Sequence, residues 1–192
     1  MSSTKRDHLI NTALELFSRD GFHATGIDKI LSASGVAKMT LYNHFKSKDE
    51  LILAVLRRRD ETFRNWFMRT VETSAEAPRD RLLAIFDALE QWIRQEGFCG
   101  CTFINATAEF GERGDAIVGS CAEHKRLVLD YVEKLAAAAG AHDPAELAYT
   151  LNLLAEGAIV TAQVMGQKDS AARAKRAAKI LIQDAMEPAA VQ

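Results

Sequence analysis

The sequence predicts an all-α fold of about nine helices, with three helices in a small N-terminal part and the others in a larger bundle. Of the 192 residues, 48% are hydrophobic and 26% are charged, close to the average of globular domains. The chain has only three prolines, and long stretches are rich in Ala, Leu, Glu and Arg, residues that favour helix. No strand-like alternation is sustained, so no strand is predicted.

The first helix follows from apolar periodicity. Apolar residues from Leu9 to Phe17 recur at three- and four-residue steps and stop before Asp20-Gly21. Later starts follow from capping signals and from Pro78. Thr25-x-x-Asp28 and Ser47-x-x-Glu50 have the form of capping boxes, and Asp143 precedes a first-turn proline. The predicted helices span residues 4–20, 27–34, 38–45, 48–73, 78–96, 102–110, 116–139, 144–166 and 170–187.

Charge is distributed unevenly between the two parts. Residues 1–59 carry ten basic and six acidic side chains, a net charge of +4, whereas the rest of the chain carries −6. We predict one domain at 1–46 and a second at 47–192. The positive charge of the N-terminal part is suited to binding the phosphates of nucleic acid.

Several features predict a soluble cytoplasmic protein. No apolar run reaches the roughly 18 residues that a membrane span needs, so no membrane partner is expected. The polar segment Met1 to His8 lacks the apolar stretch of a signal peptide. The chain has three cysteines: Cys99, Cys101 and Cys121. This number is small and odd, so a disulfide scaffold is not expected.

The segment Thr25–Phe45 has the pattern of a helix-turn-helix. Two short helices flank a tight turn at Ser34-Gly35-Val36, where glycine can adopt a left-handed conformation. Such a turn presents the second helix to the DNA major groove. At 100° per residue, Leu41 and Phe45 share a core face. The predicted core partners are Ile27, Ile30, Leu31 and Val36. The outward set is Met39, Thr40 and Asn43, with Tyr42 and His44 on the flanks.

These residues bear a family resemblance. Three segments carry it: Ala13-Leu14-Glu15-Leu16-Phe17, Gly21-Phe22-His23-Ala24-Thr25-Gly26-Ile27, and the run from Ser34 to Lys48. The pattern resembles the TetR family of bacterial transcriptional regulators over about a quarter of the chain. The resemblance implies phosphate contacts for Thr25 and Lys48, groove contacts for Lys38, Thr40 and Asn43, and backbone or base contacts for Tyr42 and His44. Met39 stands where a small residue is common and Ala37 replaces a common serine cap.

The resemblance also implies a homodimer through the last two helices, bound to a palindromic double-stranded DNA operator. Ala155, Ala158 and Ala162 lie on nearly one face of the helix at 144–166. Either these alanines contact a partner chain, or they pack inside one subunit.

Aromatic and polar side chains in the middle helices suggest a small-molecule effector site between bundle helices. The alternative is that most of them form the core. The candidate ligand-binding residues are Trp66, Phe67, Trp92, Cys101, Phe103, Asn105, Glu109, His124, Tyr131 and Gln163.

Cys101 has a second interpretation. The stretch Gly100-Cys101 through Asn105 to Glu109 is similar to one TetR subgroup whose cysteine opens the sixth helix, a position that can make a thiol reactive. A thiol-based redox or electrophile-sensing regulator is therefore an alternative, as is a small thiol enzyme, and a third is that the cysteine is a buried apolar residue.

No catalytic motif is recognised, so we expect no enzyme, no metal site and no cofactor. The predicted function is a ligand-responsive repressor, in which the helix at 48–73 transmits the effect of ligand to the DNA-binding part.

Overall fold

The structure, a computed structural model, describes residues 4–111 and 115–187. Within those ranges it contains nine helices and no strand, which confirms the predicted fold class. Each predicted helix begins and ends within three residues of the corresponding helix in the structure. The helices are α1 (Lys5–Asp20), α2 (Ile27–Ser34), α3 (Lys38–His44), α4 (Lys48–Ser74), α5 (Pro78–Ile93), α6 (Thr102–Phe110), α7 (Ala116–Ala138), α8 (Pro144–Met165) and α9 (Ser170–Met186).

Two of the predicted caps are present. At the start of α4, the hydroxyl of Ser47 accepts a hydrogen bond from the Glu50 N–H at 3.1 Å, and the Glu50 carboxylate accepts one from the Lys46 N–H at 2.6 Å. At the start of α8, the Asp143 carboxylate accepts a hydrogen bond from the Glu146 N–H at 3.0 Å. These side chains satisfy backbone donors that have no partner inside the helix.

The predicted capping box at Thr25 is wrong. The N-cap of α2 is Gly26, which makes no side-chain cap. The Thr25 side chain is fully buried, and its hydroxyl donates to the Leu16 carbonyl at 3.5 Å. Because the hydroxyl is turned toward α1, it does not cap α2.

Helix α5 ends at Ile93, three residues earlier than predicted. Gly97 adopts a positive φ of 76°, and the ring of Phe98 packs edge-on against Trp92 at 5.1 Å between centroids. The chain therefore turns back onto the end of its own helix instead of continuing it.

The chain divides into two compact units. The first unit takes the chain up to Phe63 together with Cys101–His124, so it contains α1 to α3, the first part of α4, α6 and the first part of α7. Its core includes Phe17, Phe22 and Ile30, and α1 packs on α2 and α3. Of the predicted helix-turn-helix core, Ile30, Leu41 and Phe45 are buried, and Ile27, Leu31 and Val36 are half-buried.

The second unit comprises Arg64–Gly100 and the chain from Lys125 onward, and α5, α8 and α9 pack on one another within it. Ala158 and Ala162 are buried in this packing and Ala155 is half-buried. The Ser170 hydroxyl at the start of α9 donates to the Ala158 carbonyl at 2.8 Å. The small residues of α8 therefore bring α9 close within one subunit.

By length and composition alone, α8 is apolar enough to cross a membrane, since an 18-residue window has a mean hydropathy of 1.2. The core helix of a soluble protein meets the same criterion. Helix α8 packs on α5 and α9, and 39% of the window is buried. Its composition is accounted for by this packing and by an exposed apolar face described below.

Candidate functional site

The turn between α2 and α3 depends on a glycine. Gly35 adopts a left-handed conformation with φ 65° and ψ 13°, and its N–H donates to the Leu31 carbonyl at 2.9 Å. The Val36 N–H then donates to the Ser34 hydroxyl at 3.3 Å. A residue with a Cβ would be strained at this φ, so Gly35 fixes the direction in which α3 leaves the turn.

Helix α3 has one buried side and one exposed side. Leu41 is fully buried, and Phe45, which follows the helix, is 2% exposed. On the other side, Met39 is 72% exposed and Tyr42 is 41% exposed. Of the remaining predicted DNA contacts, Lys38, Asn43 and His44 are exposed, and Thr40 and Lys48 are half-buried. The first unit thus presents a polar helical surface with amide, hydroxyl, imidazole and ammonium groups, which suit base edges and phosphates.

Thr25 departs from this pattern. Because its side chain is buried and donates inward, it does not present its hydroxyl to a phosphate. The predicted phosphate contact is therefore not available to the side chain in this structure.

The cations near the helix-turn-helix differ in how strongly they are paired. Lys29 lies 3.0 Å from Asp20, whose pKa is lowered to about 2, chiefly by the hydrogen bond from Arg19 and then by that from Lys29. Lys38 lies 4.0 Å from Asp28 and keeps 64% of its side-chain exposure. The Lys48 ammonium donates to the His23 carbonyl at 3.3 Å. Lys38 is thus loosely paired, whereas Lys48 is held at a fixed point beside the turn before α2.

Glu109 at the end of α6 is bound to that same turn. Its two carboxylate oxygens accept hydrogen bonds from the Phe22 N–H at 2.8 Å and from the His23 N–H at 2.6 Å. The Phe110 ring lies 4.7 Å from the His23 ring and 6.1 Å from the Phe22 ring. The structure gives the Glu109 carboxylate partners within the protein, so it leaves the candidate ligand set. Sequence reasoning missed Phe22 and His23 as its partners, because nothing local connects positions so far apart.

Two other predicted ligand residues are packed together in the first unit. The rings of Phe103 and His124 stack at 3.6 Å between centroids, and His124 Nδ1 lies 2.8 Å from an Asp60 carboxylate oxygen. Asp60 and His124 also line a half-open cleft of about 350 Å³, together with residues of α4 and α7. Asn105 is half-buried on α6.

The cysteines are largely inaccessible. Cys101 is the N-cap of α6 but makes no side-chain cap, and it is 5% exposed. Cys121 is 3% exposed and Cys99 is half-buried. Since oxidation and alkylation need access to the thiol, burial does not favour the thiol-based alternative.

The second unit holds the remaining candidates. Tyr131 and Phe67 pack edge to face at 6.1 Å between centroids, and both are buried. Burial, followed by the charge of Glu72, raises the pKa of Tyr131 to about 12. Trp92 is 7% exposed and Trp66 is half-buried.

Gln163 lies at the surface of the second unit. The residue is exposed, and its side-chain amide lies directly over the Cα of Gly100, where a Cβ would overlap it. It covers a glycine of the loop before α6.

An exposed apolar face, here called the α8 stripe, consists of Tyr149, Leu153, Val160 and Val164. Their exposures are 54%, 56%, 40% and 76%, respectively. The spacing of these residues places them along one side of α8. On α9, Ile180 is 70% exposed. Aligned large apolar side chains at a surface are typical of a protein–protein contact.

Over residues 4–111 and 115–187, no group of three or more His, Cys, Asp or Glu residues is placed to hold a metal ion.

Comparison with family profiles gives two matches. Residues 9–55 match the profile "Bacterial regulatory proteins, tetR family", and residues 78–178 match the profile "Tetracyclin repressor-like, C-terminal domain". The first contains the helix-turn-helix, and the second spans more than half of the chain.

Curated relatives carry regulator names. The chain is 28% identical over 171 residues to the transcriptional regulator AcuR of Cereibacter sphaeroides, a match of 85% of this chain and 78% of AcuR. It is 37% identical over 92 residues to the transcriptional activator FasR of Mycolicibacterium smegmatis, covering 48% of this chain and 42% of FasR. It is 28% identical over 105 residues to the transcriptional repressor NemR of Escherichia coli K12, a match of 54% of this chain and 53% of NemR. The chain thus spans about half or less of the length of FasR and NemR.

Solved structures agree over nearly the whole chain. SCO4454, a TetR-family transcriptional regulator from Streptomyces coelicolor, superposes with a TM-score of 0.89 at 30% identity, covering 95% of this chain and 96% of that one. A TetR-type regulator from Streptomyces avermitilis superposes with a TM-score of 0.82 at 26% identity. The match covers 95% of this chain and 98% of that one.

Proposed function

Since the chain belongs to the TetR family of bacterial transcriptional regulators, we propose that it is a ligand-responsive repressor that binds a palindromic operator as a homodimer. A small organic effector releases it from the DNA. Chromosomal DNA as the target places the protein in the cytoplasm.

The exposed side of α3 supports the proposed binding of DNA. Leu41 and Phe45 anchor the helix, while Lys38, Asn43 and His44 are exposed on it. In a helix-turn-helix the second helix enters the major groove, where an amide such as that of Asn43 can bond a base edge. Lys48, beside the turn before α2, contributes a cation for a phosphate.

The α8 stripe supports the proposed dimer. A single helix-turn-helix contacts one half-site, whereas two related by a two-fold axis contact a palindrome. The stripe and Ile180 are among the large apolar groups that α8 and α9 leave exposed, and a symmetry-related copy would cover them. The small residues Ala158 and Ala162 serve packing within the subunit instead.

The effector acts by shifting a conformational equilibrium. A ligand that binds one state of the dimer better favours that state, and the repressor leaves the DNA when the recognition helices no longer match the half-site spacing. Helix α4 contributes residues to both units and is the proposed lever. Relatives named repressor, activator and regulator support control of transcription, and we propose no enzymatic activity.

The test is a footprint of the purified protein on the DNA upstream of its own and neighbouring genes, followed by fluorescence anisotropy on the protected site. Tyr42→Ala is expected to reduce specific affinity at least tenfold, because a side chain on the recognition surface is lost. Lys134→Ala, which removes an exposed cation from α7, serves as the control and should change affinity less than twofold. The proposal fails if no protected site is found, or if Tyr42→Ala binds the site as tightly as the wild type. In vitro transcription from that site then separates repression from activation.

A further inference from the structure

The hydroxyl of Tyr131 is buried without a partner. Within the described residues, every buried side-chain nitrogen or oxygen except the Tyr131 oxygen has a hydrogen-bond partner. The residue is 9% exposed. A buried polar group in this condition loses its bonds to water and gains none in return, so native structures leave few such groups unmatched.

One aromatic ring and two charged side chains act on this phenol. The Phe67 ring, 3% exposed, packs edge-on against the phenol ring. The charges of two residues of the second unit act on the phenol: the exposed Glu72 and the half-buried Arg81. Arg81 Nε donates to the Ala75 carbonyl at 3.0 Å, so that nitrogen is bonded to backbone.

The protonation state of the phenol decides what it can bind. Burial and Glu72 both raise the pKa of Tyr131, and the smaller opposite effect of Arg81 does not reverse this. The phenol therefore stays protonated near neutral pH and offers one O–H donor. A charged acceptor would lose its hydration and meet the field of Glu72, whereas a neutral acceptor would pair with the O–H at little cost.

We propose that the effector is an uncharged, largely apolar organic molecule that presents a carbonyl-type acceptor to the Tyr131 O–H. This inference rests on the proposed function, since it assigns the chemistry of the ligand that regulates the repressor.

The experiment uses three matched probes and the full-length protein without DNA. Acetophenone carries a neutral carbonyl, ethylbenzene has nearly the same shape without an acceptor, and benzoate carries a charge. Binding is followed by titration calorimetry and by the fluorescence of Trp66 and Trp92, both in the second unit. We expect acetophenone to bind about fivefold to tenfold more tightly than either of the other two, the typical effect of one hydrogen bond.

Tyr131→Phe removes only the hydroxyl. In this variant the affinity for acetophenone is expected to fall to that for ethylbenzene, while the affinity for ethylbenzene is unchanged. Thr73→Val is the control, because it removes an exposed hydroxyl that bonds within its own helix. The inference is overturned if acetophenone shows no preference over ethylbenzene, or if Tyr131→Phe retains that preference.

A separate readout distinguishes this failure from failure of the proposed function. Operator binding by the same wild-type sample is measured by anisotropy. If the protein binds its operator but shows no carbonyl preference, the inference about Tyr131 alone is wrong. If it binds no operator, the repressor proposal is wrong, and the calorimetric comparison still reports what the phenol recognises.

Discussion

Glu109 and His23 are joined twice, although 86 residues separate them in the chain. The carboxylate of Glu109 accepts a hydrogen bond from the His23 N–H at 2.6 Å, and the Nε2 atom of His23 lies 2.9 Å from the Glu109 carbonyl. The end of α6 is thereby fixed to the turn that precedes α2. A displacement of the C-terminal end of α6 would therefore displace the turn before α2, within the first unit.

Replacing this carboxylate should therefore destabilise the first unit. Glu109→Gln puts an NH₂ group in place of one oxygen, and that group cannot accept from a backbone N–H. We expect the free energy of unfolding, measured in urea, to fall by about 1–2 kcal/mol. Glu90→Gln is the control: Glu90 pairs with Arg94 one turn away in the same helix, and the substitution should cost no more than about 0.5 kcal/mol. Equal losses in the two variants would show that the link to the turn contributes nothing.

Lys48 and Asn43 should affect DNA binding in different ways. Lys48→Ala removes a phosphate contact, so it should weaken binding to all sequences and reduce the salt dependence by about one ion per subunit. Asn43→Ala should lower the preference for the operator over unrelated DNA by about 1–3 kcal/mol and leave the salt dependence alone. Anisotropy titrations over a range of salt concentrations on both DNAs measure these effects. A reduced salt slope in Asn43→Ala, or an altered sequence preference in Lys48→Ala, contradicts the assignment.

Helix positions could be predicted from the sequence because their signals are local. The cap at Ser47 and the cap at Asp143 act within four residues of their own helices, and the structure contains both. The left-handed turn at Gly35 is similarly local. The outward side of α3 followed from helical periodicity once Leu41 was placed in the core.

The sequence could not predict which of two compatible partners a side chain takes. Thr25 has the spacing of a cap, yet the Leu16 carbonyl of another helix receives its hydroxyl. Ala158 suits either a dimer contact or an internal one, and packing against α9 buries it. Glu109 suits a ligand site, but two N–H groups lie within reach only after folding. Each outcome depends on tertiary neighbours that periodicity does not specify.

The raised pKa of Tyr131 predicts a loss of stability at alkaline pH. The folded-state value, about 12, lies above the value near 10 expected for an unfolded tyrosine. The folded state thus holds the proton more tightly, so its contribution is fully present below pH 10 and is lost as pH rises through 12. Tyr131→Phe should lack this loss, and at neutral pH it should be no less stable than the wild type, because it removes an unpartnered hydroxyl.

Urea midpoints at several pH values between 8 and 11 check this expectation. Tyr42→Phe, which alters an exposed phenol, should retain the wild-type slope. Parallel slopes in wild type and Tyr131→Phe would show that Tyr131 ionises as an ordinary tyrosine.

The α8 stripe predicts which substitutions separate the dimer. Leu153→Asp and Val164→Asp each place a carboxylate where the proposed interface is apolar, and a buried unpaired charge is costly. We expect each variant to weaken self-association more than about 100-fold. Sedimentation at micromolar concentration should then show monomer where the wild type is dimeric, with operator affinity reduced because one recognition helix binds alone. Gln91→Asp, on an exposed position of α5, adds the same charge elsewhere and should remain dimeric. If both stripe variants sediment as the wild type does, α8 is not the interface, and its exposed apolar side chains must have another explanation.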